Sequence, residues 1–206
     1  MEPDPPPTDA SSEREAPGGQ RFARTVVTVT VGALTDQIAR ALVVPANQRG
    51  TLAVGLSRAV GRDAAERIER SVMARAPLAL GTVVPSETGA LAERGVEALL
   101  HAILRQRPGT PTTLDTVERT TRAMLEICEG NRWRTVAFPA FGTGIGHWPL
   151  PVVDVGEVMV EAIVAYLRRT SSRLDRLTFV MRDDDDRDTI RDMVDRARQI
   201  RWQELA

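Results

Sequence analysis

Apolar and polar positions along this chain alternate in a way that predicts strands separated by helices. Arg24 to Val31 reads RTVVTVTV, and its β-branched side chains suit a pleated, half-buried surface. A second apolar run, at Ala41 to Pro45, predicts another strand. The remaining strands are expected at Gly81 to Val84, Val96 to Leu104, Val136 to Phe138 and Leu177 to Met181.

Apolar residues at helical spacing predict helices between and after these strands. Leu52 to Ala74 is expected to be helical in two pieces around Val60-Gly61, and Thr113 to Glu129 is opened by threonines that can cap a helix. The next helix carries an apolar stripe at Val152, Val155, Met159, Ala162, Ile163 and Tyr166. The last one begins at the aspartates 183–186, which complement a helix dipole and are expected to form a solvated first turn.

Strands that alternate with helices predict an α/β fold with three layers, α/β/α, around a mixed, mostly parallel central sheet. Residues 1–20 are rich in proline and glycine and contain few apolar side chains. Such a segment buries too little surface to offset its ordering entropy, so it is expected to be a disordered tail. Residues 21–206 are expected to form a single domain.

Composition narrows the classes of function. The formal net charge is −1, so no global field draws the chain to nucleic acid or to membranes. A single cysteine, Cys128, and two histidines make a structural metal site improbable, and Cys128 is expected in the core. No apolar run approaches the roughly 20 residues of a membrane span, and the N-terminus is unlike a secretory signal. We expect a cytoplasmic protein.

The segment Thr135 to Pro149, TVAFPAFGTGIGHWP, holds the strongest candidate chemistry. It reads as a buried strand, a glycine-rich turn and the approach to a helix. Glycines let backbone N–H groups approach an anion closely, and a helix start adds partial positive charge, so this order suits phosphate binding. The alternative is a tight turn without a ligand. Asn47, just beyond a predicted strand, is either a hydrogen-bonding group for a ligand or a turn residue.

Two segments make the chain resemble a macro domain. Val136 to Pro149, VAFPAFGTGIGHWP, follows the phosphate-loop signature of that family, and Leu34 to Asn47, LTDQIARALVVPAN, fits its spacing from a strand-ending glycine to an asparagine. The resemblance runs from about Thr25 to about Val194. It implies a macro-like fold whose cleft holds ADP-ribose, free or linked to a macromolecule, with no further cofactor and no metal.

The resemblance also implies the site residues. The backbone N–H groups of Gly142, Thr143, Gly144, Ile145 and Gly146 would hold a diphosphate. Asn47 would bind the distal ribose, and Phe141 is carried over with the loop to which it belongs. Trp148 either lines the ribose pocket or covers the core beside Pro149. His147 is either an acid/base group or an idle surface histidine, while His101, within an apolar strand, is expected to be a satisfied core residue.

The chain departs from the family at several positions. Ala33 stands where the family usually has an aspartate that reads the adenine amino group. Arg182 stands where many members place an aromatic ring, and it either stacks on the base or pairs with the aspartates that follow. The first binding loop, QRGTLAVG at 48–55, contains no carboxylate, and Val44 replaces an asparagine. Arg49 in that loop can meet a phosphate by charge-assisted bonding.

Three functions remain open from the sequence. The preferred one is a module that binds ADP-ribose or a related nucleotide-diphosphate metabolite without efficient hydrolysis, because no general base is found near the expected ribose. The second is an ADP-ribosyl hydrolase or a deacetylase of O-acetyl-ADP-ribose, for which no catalytic residue can be named. The third is a scaffold that has lost its nucleotide and recruits a partner through its tail or its last helix.

Overall fold

The computed structural model describes residues 19–144, 148–169 and 171–199. Its strands are β1 Gln20–Phe22, β2 Thr25–Val31, β3 Ala41–Asn47, β4 Val83–Ser86, β5 Ala98–Arg105, β6 Thr135–Phe138 and β7 Arg176–Met181. Its α-helices are α1 Val54–Val60, α2 Arg62–Met73, α3 Leu114–Asn131, α4 Val152–Arg169 and α5 Asp184–Gln199. Two short 3-10 helices cover Leu34–Asp36 and Gly89–Arg94.

The strands form one seven-stranded sheet in the order β1-β2-β7-β6-β3-β5-β4. The pairs β2–β7, β7–β6, β6–β3 and β3–β5 are parallel, whereas the outermost strands β1 and β4 pair antiparallel with their neighbours. This confirms the mixed, mostly parallel sheet. The carboxyl ends of β2, β3, β5, β6 and β7 therefore meet at one edge, where ligands collect in such sheets.

Helices cover both faces of the sheet, which confirms the three layers. Along β3, Ala41 and Val43 belong to one core and Leu42 and Val44 to the other, since successive strand side chains point to opposite faces. The first core packs on α3, α4 and α5, and the second packs on α1, α2 and the 3-10 helix Gly89–Arg94. Because both faces are buried, the central strands read as continuous apolar runs.

The predicted helices agree closely with the observed ones. The break at Val60-Gly61 separates α1 from α2, and Gly61 has a φ of +88°, where glycine is favoured. Thr113 caps α3 by accepting the Thr116 backbone N–H at 3.2 Å, as its threonine-rich start indicated.

The bounds of the two edge strands were predicted less accurately. β4 begins two residues later than expected, and β1 was not predicted and begins at Gln20, the last residue of the expected tail.

His101 is a satisfied core residue, as the sequence predicted. It is 1% exposed on β5, and its Nε2 lies 2.8 Å from Oγ of Ser86 on β4. Burial, together with the smaller effect of the Arg75 charge, lowers the pKa of His101 from 6.5 to about 4. The neutral imidazole is therefore the form that the fold holds.

The lowered pKa of His101 predicts a loss of stability in acid. The unfolded chain binds the proton near pH 6.5 and the folded chain only near pH 4. The stability contributed by the neutral imidazole is therefore fully present above about pH 6.5 and is lost as the pH falls from there to about 4. We expect the free energy of unfolding to be about 2 kcal/mol smaller at about pH 5 than at neutral pH from this group. Denaturant unfolding of the wild type and of His101→Gln, which does not titrate, should show the difference. Identical pH profiles would contradict it.

Cys128 on α3 is 0% exposed and belongs to the core, as predicted. Burial, together with the smaller effect of the Glu129 charge, raises the pKa of its thiol to about 12. Since the thiolate is the reactive form, we expect a thiol reagent to leave the native protein unlabelled and to label one equivalent after denaturation. Labelling of the native protein at the rate of a free thiol would show that α3 opens readily.

Candidate functional site

A cleft of about 970 Å³ lies at the edge where the parallel strands end. Each of the five strands that end there contributes part of its wall. The wall is made by Gly32, Ala33 and Leu34 after β2; by Pro45, Ala46, Asn47, Thr51, Leu52 and Ala53 around the end of β3; by Leu104, Arg105, Pro108 and Gly109 around the end of β5; by Pro139, Ala140, Gly142, Thr143 and Gly144 after β6; and by Val180, Met181, Arg182, Asp183 and Asp186 around the end of β7. Its size and its position suit a small-molecule ligand.

Gly142 makes the sharp turn at which the strand β6 gives way to the glycine-rich loop. Its φ is +89°, a conformation that side chains rarely adopt. A methyl group built on Gly142 would lie 2.7 Å from Cγ2 of Thr112 and 3.2 Å from Cδ1 of Leu150. Both the backbone conformation and the close packing therefore require glycine at this position.

The peptide unit between Gly142 and Thr143 is held by two donors. The carbonyl oxygen of Gly142 accepts the backbone N–H of Leu150 at 3.1 Å and Nη2 of Arg105 at 3.4 Å. Because a trans peptide is planar, the Thr143 N–H points away from these two donors. Among the described residues, no acceptor takes the N–H of Thr143 or of Gly144. Within the described part of the chain, these N–H groups are therefore available to an anion.

The side chain of Thr143 is turned back onto its own loop. Its hydroxyl donates to the Ala140 carbonyl at 3.0 Å and closes a short turn after β6. The loop therefore has fixed geometry on both sides of Gly142. Fixed donors bind an anion with less loss of conformational entropy than mobile ones do.

Asn47 lies at the end of β3 and is 8% exposed. Its Oδ1 accepts the Arg49 N–H at 2.9 Å, and its Nδ2 donates to Oγ1 of Thr51 at 2.7 Å. The side chain thus organises the turn after β3 while it forms part of the cleft wall. One Nδ2 hydrogen is left to donate to a ligand, so the turn and ligand interpretations are compatible.

Comparison with known proteins identifies the family. The sequence profile of the Macro domain family matches residues 43–154, which is more than half of the chain. The chain belongs to the Macro domain family. This match is shorter than the resemblance expected from about Thr25 to about Val194, because it omits β2, the start of β3, most of α4, β7 and α5.

Relatives and solved structures extend the match. An uncharacterized protein of Aquifex aeolicus is 34% identical over 137 residues, which cover 66% of this chain and 80% of the relative. A macrodomain of Oceanobacillus iheyensis solved with ADP superposes with a TM-score of 0.73 at 14% identity, over 88% of this chain and 96% of that one. A Trypanosoma brucei macrodomain in complex with ADP-ribose superposes with a TM-score of 0.68 at 20% identity, over 82% of this chain and 68% of that one. These structures share the fold.

The macro-domain cleft contains most of the predicted site residues that the structure describes. Asn47, Gly142, Thr143, Gly144 and Arg182 all contribute to its wall. Ile145 and Gly146, and with them His147, lie outside the described residues, as does the expected tail up to residue 18.

Phe141 and Trp148 do not contribute to the cleft wall. The Phe141 ring is 0% exposed and lies 6.2 Å, centroid to centroid, from the ring of Phe138 in the core. Its backbone N–H donates to Sδ of Met159 at 3.3 Å. Trp148 is 64% exposed. Phe141 therefore supports the loop from beneath, and Trp148 does not cover the core at Pro149.

The first binding loop of this macro domain is short, because α1 already begins at Val54. The backbone N–H of Leu52 donates to Oε1 of Glu69 on α2 at 3.2 Å, which ties the loop to that helix. The Arg49 side chain is exposed and is not part of the described cleft wall. The loop thus supplies neither a carboxylate nor a cation to the cleft.

The start of α5 brings the only carboxylates among the described residues of the wall, Asp183 and Asp186. Oδ1 of Asp183 accepts the Asp186 N–H at 2.9 Å, which is a helix N-cap. Burial raises the pKa of Asp186, the charges of Asp183 and Asp185 raise it further, and Arg182 opposes them. No group of three or more metal-binding side chains occurs in the described chain.

Sequence reasoning missed Arg105, Pro108, Gly109 and Asp186 as parts of the cleft. Arg105 ends β5 and pairs in register with Asn47, where β3 has a bulge between Ala46 and Asn47. The rule that singled out Asn47, a polar residue just past an apolar strand, applies equally to Arg105.

None of the described helices is long and apolar enough to cross a bilayer.

Proposed function

We propose that this macro domain binds ADP-ribose, or a related nucleotide-diphosphate metabolite, without hydrolysing it efficiently. The observation that carries the proposal is the turn at Gly142, where the Thr143 and Gly144 N–H groups have no acceptor in the described chain. Such N–H groups at the wall of a cleft are suited to the diphosphate oxygens. The Trypanosoma brucei macrodomain with a similar fold holds ADP-ribose.

The shape of the cleft supports a nucleotide-sized ligand. About 970 Å³ lies at the upper end of the usual range for small-molecule sites, and the cleft reaches from the wall after β2 to the wall after β5. A scaffold function would be favoured by a cleft filled with the protein's own side chains. The Arg49 and Trp148 side chains are exposed and do not line the cleft, whereas Arg182 forms part of the wall of a cleft that still has a volume of about 970 Å³.

Among the described residues, no group suited to act as a base is found near Asn47, which supports binding rather than hydrolysis. A hydrolase needs a group that positions or deprotonates water beside the ribose. The first loop offers no carboxylate, and the Asn47 side chain is a neutral amide that bonds to Arg49 and Thr51. The carboxylates that do reach the described wall, Asp183 and Asp186, follow β7, and β6 lies between β7 and β3 in the sheet.

Titration calorimetry with ADP-ribose tests the binding proposal, and incubation with an ADP-ribosylated protein tests the hydrolysis. We expect saturable heat with ADP-ribose and no release of ADP-ribose above an enzyme-free control. Neither heat nor a thermal shift at millimolar ligand would refute binding. Release that disappears in Asn47→Ala would instead establish the hydrolase function.

Ala33 predicts weak discrimination between bases. It lies on the cleft wall and offers no hydrogen-bonding side chain, whereas a charged hydrogen bond contributes about 1.5–3 kcal/mol. We therefore expect ADP-ribose and its hypoxanthine analogue to bind within about tenfold of each other. Competition calorimetry measures the ratio. A preference for adenine much greater than this would show that another group reads the base.

A further inference from the structure

We propose that Arg105, on the carbonyl side of the Gly142–Thr143 peptide, and Arg182, beside Gly144, form a cationic clamp that holds the ligand's diphosphate. The clamp rests on the proposed function, which it deepens. It assigns part of the diphosphate recognition to side-chain charge, in addition to the backbone N–H groups of the loop. Both arginines contribute to the cleft wall.

Arg105 reaches the turn from the end of β5. Its Nη1 donates to the Thr110 carbonyl at 3.1 Å, and its Nη2 donates to the Gly142 carbonyl at 3.4 Å. These bonds use two of the five N–H donors of the guanidinium and fix its plane. The others are available to a ligand, and a fixed planar fork is the geometry that favours phosphate oxygens.

Arg182 reaches the turn from the end of β7. A methyl group built on Gly144 would lie 3.4 Å from its Nη2, so the guanidinium lies over the Gly144 backbone. This position is beside the loop expected to hold the diphosphate. Arg182 is exposed and free to move toward a bound anion.

Neither arginine is neutralised by an ion pair within the described chain. Ten arginine–carboxylate pairs occur among the described residues, and they involve neither Arg105 nor Arg182. Asp183 and Asp186 share the wall with them; Asp183 is engaged in capping α5, and Asp186 feels the charge of Arg182 without forming an ion pair with it. A half-buried guanidinium bonded only to carbonyls keeps its full charge for an external anion.

The matched variants are Arg182→Gln, Arg105→Lys and, as a control, Arg176→Gln. Arg182 is exposed, so its replacement leaves the fold intact, and Arg105→Lys keeps the charge but loses the planar fork. Arg176 is exposed at the first residue of β7, at the opposite edge of the sheet from the cleft. The control therefore removes the same charge without touching the clamp.

Calorimetry with ADP-ribose and with inorganic pyrophosphate, each at several salt concentrations, tests the clamp. We expect Arg182→Gln and Arg105→Lys each to lower the affinity for both ligands about fivefold to tenfold. Arg182→Gln should also make the affinity less dependent on salt concentration. Arg176→Gln should leave both unchanged. Wild-type affinity and salt dependence in both clamp variants would overturn the proposal.

The pyrophosphate arm separates the clamp from the proposed function. If pyrophosphate binds the wild type and this binding is lost in the variants, the clamp is supported even when ADP-ribose does not bind. In that case only the proposed function fails. If neither ligand binds the wild type, both the clamp and the proposed function are overturned. Thermal unfolding of Arg105→Lys checks its fold, and Arg182→Gln decides the outcome if that variant is unstable.

Discussion

Gly144→Ala is expected to weaken ADP-ribose binding by at least about tenfold while leaving the fold intact. Gly144 lies outside the positive-φ glycines, so alanine fits its backbone. Among the described residues, the added methyl group meets only the guanidinium of Arg182, at 3.4 Å, and that group can move aside. On the cleft wall, however, the methyl group would occupy the space that a phosphate oxygen needs to reach the backbone N–H groups.

The matched control for this variant is Gly130→Ala. Gly130 lies in α3, and a methyl group built on it has open space around it. We expect unchanged affinity and a small gain in stability, since alanine is the better helix former by up to about 1 kcal/mol. Calorimetry and thermal unfolding of both variants provide the comparison. Undiminished affinity in Gly144→Ala would mean that the ligand does not approach this backbone.

Gly142→Ala is expected to destabilise the whole protein by about 2–6 kcal/mol. Its φ of +89° is unfavourable for alanine, and the new methyl group would lie 2.7 Å from Cγ2 of Thr112. Positive φ in a residue other than glycine costs about 1–3 kcal/mol, and overpacking costs about 1–3 kcal/mol. Denaturant unfolding measures the sum.

Two further variants separate these causes. Gly95 also has a positive φ, +81°, but a methyl group built there meets nothing within 4 Å, so Gly95→Ala reports the backbone effect without a clash. Thr112→Ser removes the methyl group that Gly142→Ala would strike, so the double variant should regain part of the lost stability. Equal losses in Gly95→Ala and Gly142→Ala, with no gain from Thr112→Ser, would refute the packing explanation.

Local patterns predicted the layers, the core helices and the turn at Gly142. The strand β6, its glycine loop and the following helix are contiguous, so spacing alone revealed them. The same holds for Asn47, which follows an apolar run. Their common feature is that neighbours in sequence determine the structure.

The parts of the site that the sequence did not predict depend on contacts between residues far apart in the sequence. Arg105 bonds to Gly142, 37 residues away, and that contact exists only because β5 and β6 end at the same edge. The exposure of Trp148 and the burial of Phe141 likewise follow from tertiary packing. The short strand β1 was missed because its three residues show no clear apolar alternation, and pairing with β2 determines its structure.

A co-crystal structure with ADP-ribose shows whether the turn at Gly142 binds the diphosphate. We expect diphosphate oxygens at about 2.7–3.2 Å from the backbone nitrogens of Thr143 and Gly144. We also expect the guanidinium groups of Arg105 and Arg182 to contact that diphosphate. A ligand whose phosphates face solvent, or a loop whose N–H groups bond to the protein's own carbonyls, would contradict these expectations.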